Sequence, residues 1–346
     1  MEGGTALWAI GTALPGQRLC QQGVLDYMAR GADRALQRRL RYIYRRSHID
    51  FRYSCCPDFD DSGEALLCDN PSTSTRLRHY ERAAPVLGLA AARAAFAGQS
   101  RYVPADVSHV LLVSCTGGSA PGPLHGIGAG LGLGHSVRTL QIGFMGCQAA
   151  LYGLQAADAI CRSQKGAVVL LLCVELCSLH FRPSAQDADL VINSLFADGA
   201  AGVLLSGEGG GICSLGAFSS LLLPEKAEML TWRIGDRGFE MGLDPALPQV
   251  LAAALPGFVE ENGLGQAEPW AVHPGGRGIL DAVERALALG EGAMEPSRAV
   301  LRQYGNMSSP TVLFVLKNLL EAGAKRGNIL AFGPGLSLEA ARWWQG

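Results

Sequence analysis

Apolar positions along the chain fall into two alternating rhythms. Dense aliphatic runs appear at TALWAIGTA near the start, VSHVLLVSC (107–115), VRTLQIGF (137–144), KGAVVLLLCVEL (165–176), AAGVLLS (200–206) and ICSLGAFSSLLL (212–223). Each stops at glycine, proline or a polar turn, which predicts buried strands. Between them lie stretches of small residues at helical spacing: ERAAPVLGLAAARAAFAG (81–98), GPLHGIGAGLGL (122–133), GCQAALYGLQAADAICRSQ (146–164) and DADLVINSLFADGA (187–200). Residues 23–46 also read as helix, ending in the basic run QRRLRYIYRR, whereas 52–81 carry no clear period.

The second half repeats the theme. Helices are expected over 245–263, 276–289 and 308–327, with strands at EPWAVHP (268–274) and at GNILAFGPGLSLEAARW (327–343), broken by FGPG. The helix of 308–327 is expected to pack near the helix that follows Cys147. Strands alternating with helices predict an α/β protein of stacked layers. One α/β unit gives way to another near residue 212, dividing the chain into 1–212 and 213–346. No low-complexity linker separates them, so the halves should pack tightly. No short-period repeat is present.

The chain has 346 residues, ample for a large core, and a net charge of −2. That balance gives no footprint for a nucleic-acid partner. The longest apolar run, near 167–174, is far too short to span a bilayer. The first residues lack a basic segment followed by a long apolar one. Ten cysteines are scattered without a disulfide framework, so a reducing cytoplasm is the simplest expectation.

Cys147 stands out in GFMGCQAA, behind two glycines and at the head of a helix. Orphan N–H groups and the helix dipole there would lower a thiol pKa and favour thiolate. A buried structural cysteine fits the local residues too. His273 ends an apolar strand before PGG, where a side chain can reach a cleft, or serve simply as a turn histidine. Asn306, in QYGNMSSPT, has the surroundings of a helix cap or of a polar catalytic group. A Cys-His-Asn set is chemically coherent: histidine can hold the thiol's proton, and His and Asn can donate to a developing oxyanion. Cys173 and Cys177 have no second close ligand pair, so they do not make a metal site.

GFMGCQAALYGL, AVHPGGRGILDAVE, YGNMSSPTVLFVL and AFGPGLSLE together resemble the motifs of type III polyketide synthases. This is the chalcone synthase-like family of thiolase-fold enzymes, and the resemblance runs from about residue 8 to 341. It implies an αβαβα layered thiolase fold built from two similar halves. The first half would carry the nucleophile and a basic CoA-binding helix, the second the catalytic His and Asn. Cys147 would accept an acyl starter and hold the growing chain. His273 and Asn306 would complete the catalytic set, and Phe196 would be the gatekeeper between the CoA tunnel and the cavity. Phe196 is equally compatible with plain core. Acyl-CoA and malonyl-CoA would be the substrates, with no permanently bound cofactor or metal, in a homodimer.

The same resemblance assigns the surroundings. In the basic run, usually a solvated helix face, Arg39 and Arg46 match positions that bind CoA phosphates; Tyr42 stands where plant members often carry arginine. VSCTGGSAPG, with Cys115, Thr116 and Ala120, matches a cavity-lining loop at the dimer interface, where Ala120 replaces a methionine. Cys177 and His180 stand where chalcone synthases carry threonines. Cys177 would form wall, and His180 would shape the cavity and steer or protonate the chain. Glu175 would organise water for ring closure or serve as a buried structural acid. Phe332, Gly333 and Pro334 belong to the FGPG segment. CVELCSLHF is similar to bacterial alkylresorcinol and alkylpyrone synthases, which implies a fatty acyl starter. A small starter such as malonyl-CoA, giving a polyhydroxylated aromatic, is the alternative. A β-ketoacyl-ACP synthase III-like enzyme and a catalytically silent acyl-binding protein are the remaining rivals.

Overall fold

The structure is a computed structural model, and it describes residues 4–59, 66–67, 70–265 and 268–345. Strand β1 (Thr5–Ala13) opens the chain. A small ribbon of β2 (Gln17–Cys20) and β3 (Phe51–Ser54) follows, with α1 (Gln21–Met28) and α2 (Arg34–Arg46) inserted between its strands. Then come α3 (Thr73–Ala97), β4 (His109–Ser114), α4 (Pro123–Leu131), β5 (Arg138–Gly143), α5 (Ala149–Ser163), β6 (Val168–Leu176), α6 (Asp187–Leu195) and β7 (Asp198–Ser206). The later elements are β8 (Cys213–Leu222), the hairpin β9 (Leu230–Gly235) and β10 (Gly238–Leu243), α7 (Leu247–Glu261) and β11 (Trp270–Val272). After these run α8 (Arg277–Ala286), α9 (Glu295–Tyr304), α10 (Thr311–Glu321), β12 (Arg326–Gly333) and β13 (Ser337–Trp344).

The long strands form one sheet in the order β11-β12-β13-β8-β1-β7-β6-β4-β5. Its two parts meet over only three residue pairs, Thr5–Leu7 against Cys213–Leu215. Each part has the same topology. In both, two neighbouring parallel strands are followed by an antiparallel one and then by that part's first strand: β4, β6, β7, β1 and β11, β12, β13, β8.

Strand periodicity sets the layers. In β6, Val169, Leu171 and Cys173 join one core, and Leu170, Leu172 and Val174 join the other. The first core is internal and holds α5 and α10 together with strands of both parts. The second lies outside, under α3 for one part and under α7 and α8 for the other. The result is the expected α–β–α–β–α stack, with α5 and α10 in one core as anticipated.

Three local expectations need correction. The helix expected over 23–46 is two helices: Gly31 takes a left-handed φ of 71°, and the Asp33 side chain accepts from Leu36 N–H to start α2 afresh. The patternless 52–81 region contains the start of α3, where the Ser72 hydroxyl caps Thr75 N–H. The β9–β10 hairpin, absent from the expected elements, lies over the site described below. Among the described residues no helix is long and apolar enough to cross a membrane. Nine cysteines are free, and Cys68 lies outside the described residues.

Candidate active site

The turn from β5 into α5 delivers Cys147. Gly146 has φ 80°, and a Cβ there would collide with Pro334, so glycine is what lets the turn pass beneath the β12–β13 loop. The thiol, partly accessible, meets the side chains of Ser308 and Asn306, whose hydrogen bonds favour its ionised form. Burial outweighs them and pushes the thiol up to about 12. The preformed thiolate expected from the sequence is therefore not the resting state. Cys147 precedes the first helical residue, Ala149, by two positions, and desolvation exceeds what the helix start supplies.

His273 follows β11 directly, and its N–H donates to Leu330 O at 2.8 Å. The residue is 1% exposed, and neither ring nitrogen has a hydrogen-bond partner among the described residues. Burial lowers its pKa to about 3, so the imidazole rests neutral. Asn306 is fixed on every side. Its N–H donates to Leu195 O and its carbonyl accepts from Ala197 N–H, each at 2.9 Å, which makes a parallel bridge with Phe196. The side-chain Oδ1 accepts from Ser308 N–H at 2.8 Å, and Nδ2 donates to Gly275 O at 3.3 Å. An amide NH₂ has two hydrogens, and the second serves the Cys147 thiol, the place where a ligand oxygen would take it over. Gly275 also lies against the imidazole: a Cβ there would be 3.8 Å from His273 Nε2. Cys147, Asn306 and Ser308 thus meet directly, and His273 joins them through Gly275.

Beside the thiol is a cavity of about 30 Å³ lined by Cys115, Thr116, Cys177, Phe196 and Pro334, among others. These five are among the residues singled out in the sequence. Leu230, Trp232 and Met241 also line it and come from the hairpin that sequence reading missed. Their signal was the alternation of LTWRI and FEMGL around GDRG. Trp232 is pinned, its Nε1–H donating to Cys115 O at 2.7 Å.

The structure places other candidates elsewhere. His180 does not line the cavity. Its Nε2 bonds Thr116 O at 2.7 Å, its Nδ1 accepts from Phe239 N–H at 3.0 Å, and its ring stacks on Phe239 at 4.1 Å. Those bonds fix the neutral tautomer with the proton on Nε2, and burial lowers the pKa to about 4. No nitrogen is left to steer or protonate a chain: His180 holds the hairpin against the loop after β4. Glu175 lies beneath the wall, accepting from Cys115 N–H (2.9 Å), Thr116 Oγ1 (2.8 Å) and Ser309 Oγ (2.7 Å). Burial raises it to about 7 despite these donors. Phe332 and Gly333 are buried in β12, Gly333 against Gln148, and only Pro334 of the three reaches the cavity. Ala120 is exposed, in the loop whose Gly118 and Gly122 lie against Gln141 of β5.

A second, open groove of about 430 Å³ is lined by Tyr42, Arg46, Ser194, Gly275, Gly276 and Arg277, among others. Arg46 donates to Tyr42 Oη at 2.7 Å. Arg39 is not there: its guanidinium pairs with Asp187 and donates to Ala185 O at 2.6 Å. Arg277 is a cation of this groove that sequence reading did not single out. Among the described residues no cluster of His, Cys, Asp or Glu is arranged to hold a metal ion.

This architecture has close counterparts. The family profile for chalcone and stilbene synthases matches in two parts, the N-terminal domain over residues 1–209 and the C-terminal domain over 215–342. The chain is 31% identical to 1,3,6,8-tetrahydroxynaphthalene synthase of Streptomyces peucetius subsp. caesius, over 99% of this chain and 94% of the relative. It is 29% identical to type III polyketide synthase B of Arabidopsis thaliana, over 97% and 93%. The crystal structure of PKS-I from the brown alga Ectocarpus siliculosus superposes with a TM-score of 0.92 at 29% identity, covering all of both chains.

Proposed function

Because the chain belongs to the chalcone and stilbene synthase family, we propose that it builds a polyketide on Cys147 by decarboxylative condensation of malonyl-CoA with an acyl-CoA starter. The observation that carries this reading is the convergence of Cys147, Asn306 and His273, whose ring nitrogens have no partner among the described residues, beside a small cavity. The neutral imidazole takes the thiol proton as sulfur attacks the starter thioester, and CoA leaves as its thiol. Malonyl-CoA then enters through the groove at Arg46. Donors from His273 and Asn306 receive the negative charge that forms on its thioester oxygen as CO₂ departs. The resulting enolate carbon attacks the acyl–Cys147 thioester, and the sulfur is released for transfer of the lengthened chain.

For the starter, the cavity favours a short acyl group over the fatty chain suggested by CVELCSLHF. About 30 Å³ accommodates only a few heavy atoms. Trp232, tied to Cys115 O and packed edge-on to His180 and Phe239, is a fixed part of the cavity wall. A small starter and a compact aromatic or pyrone product follow, as the name of the Streptomyces relative also suggests. The test is a scan of CoA esters from acetyl to stearoyl with labelled malonyl-CoA and mass identification of products. Malonyl- or acetyl-CoA should outpace lauroyl-CoA, and Trp232→Ala should raise kcat/KM for lauroyl-CoA at least ~10-fold, the worth of one or two pocket methylenes. Wild-type preference for lauroyl-CoA would overturn the short starter. A single-round product made from malonyl-ACP would assign the chain to β-ketoacyl-ACP synthase chemistry instead.

We also propose that the enzyme works as a homodimer joined along β5. This is an edge strand of the sheet, and its Arg138–Gln141 segment is solvent-exposed. Leu140 (48% exposed) and Phe144 (45%) form part of the same surface. An uncovered edge with apolar side chains is a template for another strand. Sedimentation should give twice the chain mass, and Leu140→Glu should shift it toward the monomer; a wild-type monomer at micromolar concentration contradicts the proposal.

A further inference from the structure

Arg52 is buried at 2% exposure in β3 and has no carboxylate partner in an ion pair among the described residues. An uncompensated interior charge is expensive and calls for a reason. Its Nη1 donates to Asn193 O at 2.6 Å and to Phe196 O at 2.8 Å, while Nε and Nη2 have no partner among the described residues. Those carbonyls belong to the last turn and C-cap of α6, where backbone acceptors are orphaned and the helix dipole is negative. Tyr44 and Asp198 act on the guanidinium, and the Asp198 carboxylate is itself occupied by Ser178 N–H and Oγ and by Cys55 N–H.

The end of α6 is also the support of Asn306. Leu195 O and Ala197 N–H hold the Asn306 main chain, and Phe196 pairs with it as a bridge. Arg52 grips this unit a second time. Gly305 has φ 71°, and a Cβ there would lie 3.0 Å from Arg52 Cγ and 3.1 Å from Cδ, so the arginine stem packs on the residue just before Asn306. From this double contact we propose that Arg52 is a positioning residue for decarboxylation: by fixing the Phe196 carbonyl and Gly305 it sets the Asn306 amide and the Phe196 ring together. The proposal rests on the malonyl-CoA chemistry above. Among the described residues the guanidinium donates to Asn193 and Phe196 and interacts with Tyr44, and it makes no hydrogen bond to Cys147, carried by the β5–α5 turn, or to Arg46 of the groove.

The test compares Arg52→Met and Arg52→Lys with wild type, following ¹⁴CO₂ release from labelled malonyl-CoA. Rates are expressed per Cys147 titratable by iodoacetamide at pH 9, so that a misfolded fraction is not counted. A misplacement of about 1 Å costs on the order of 100-fold. Arg52→Met should therefore lose at least ~30-fold in kcat with KM within about threefold, and Arg52→Lys, which keeps a donor, should recover about fivefold or more. If Arg52→Met is insoluble, a loss of kcat per titrated site in Arg52→Lys with unchanged KM supports the same role. Wild-type kcat per site in a folded variant overturns it, as does a loss explained wholly by fewer titratable sites. A wild-type protein that releases no CO₂ fails the functional reading and not the placement of Arg52.

Discussion

Cys147→Ala should abolish chain extension while leaving malonyl-CoA decarboxylation within about tenfold of wild type. Loss of an attacking nucleophile typically removes 10⁴-fold or more of turnover, because no other group can carry the acyl chain. Cys115 and Cys177 are the other thiols of the cavity wall, but burial holds both well above the ordinary thiol range, and the Cys115 sulfur accepts from Gly146 N–H at 3.0 Å. Decarboxylation depends on the donors of Asn306 and His273, whose supports at Gly275, Leu195 and Leu330 do not involve the thiol. Retained extension in the alanine variant would dismiss Cys147 as the acyl carrier. The raised thiol pKa adds a pH signature. With a value near 12, the thiolate fraction grows about tenfold per unit between pH 7 and 9. Iodoacetamide labelling of the free enzyme should climb accordingly. A labelling rate flat from pH 6 to 8 would instead indicate a standing thiolate–imidazolium pair.

That signature marks the limit of what the sequence discloses. The strands and their alternation with helices were legible from period, whereas the five-layer stack and the grouping of Cys147, His273 and Asn306 were implied by the resemblance of their motifs to a known family. Burial pattern in β6 alone specifies two cores. The protonation of the thiol was not legible, since it depends on desolvation by residues from seven separate segments around one cavity. His180 shows the same gap: its polarity suggested chemistry, yet both nitrogens are consumed by Thr116 O and Phe239 N–H. The run of arginines on α2 suggested phosphate contacts, but Asp187, 148 positions beyond Arg39, claims one of them. Trp232 went unnoticed because the hairpin strands are short, although their alternation and the GDRG turn between them were readable. Side-chain partners far apart in sequence are set by tertiary packing, which a single period does not encode.

The amide of Asn306 and the imidazole of His273 should separate experimentally. Asn306→Asp keeps the acceptor for Ser308 N–H, so the local turn is retained, but it removes the donor and sets a negative group beside the forming enolate. Loss of one oxyanion donor costs about 10²–10³ in rate, and the added charge places decarboxylation at the severe end of that range. Asn306→Ala should lose about 10²-fold, with a further stability loss of about 1–3 kcal/mol because Ser308 N–H and Gly275 O lose a buried partner. His273→Gln offers the contrast. Its side-chain NH₂ can still donate to the thioester oxygen, whereas it cannot take a proton from a thiol held near 12. Starter loading, read as acyl–Cys147 formation in a single turnover, should therefore fall about 100-fold or more. CO₂ release should fall by about tenfold or less. Equal losses in both steps for both variants would mean that neither residue has a distinct role. Opposite asymmetry in the two variants would place the base at His273 and the dominant enolate donor at Asn306.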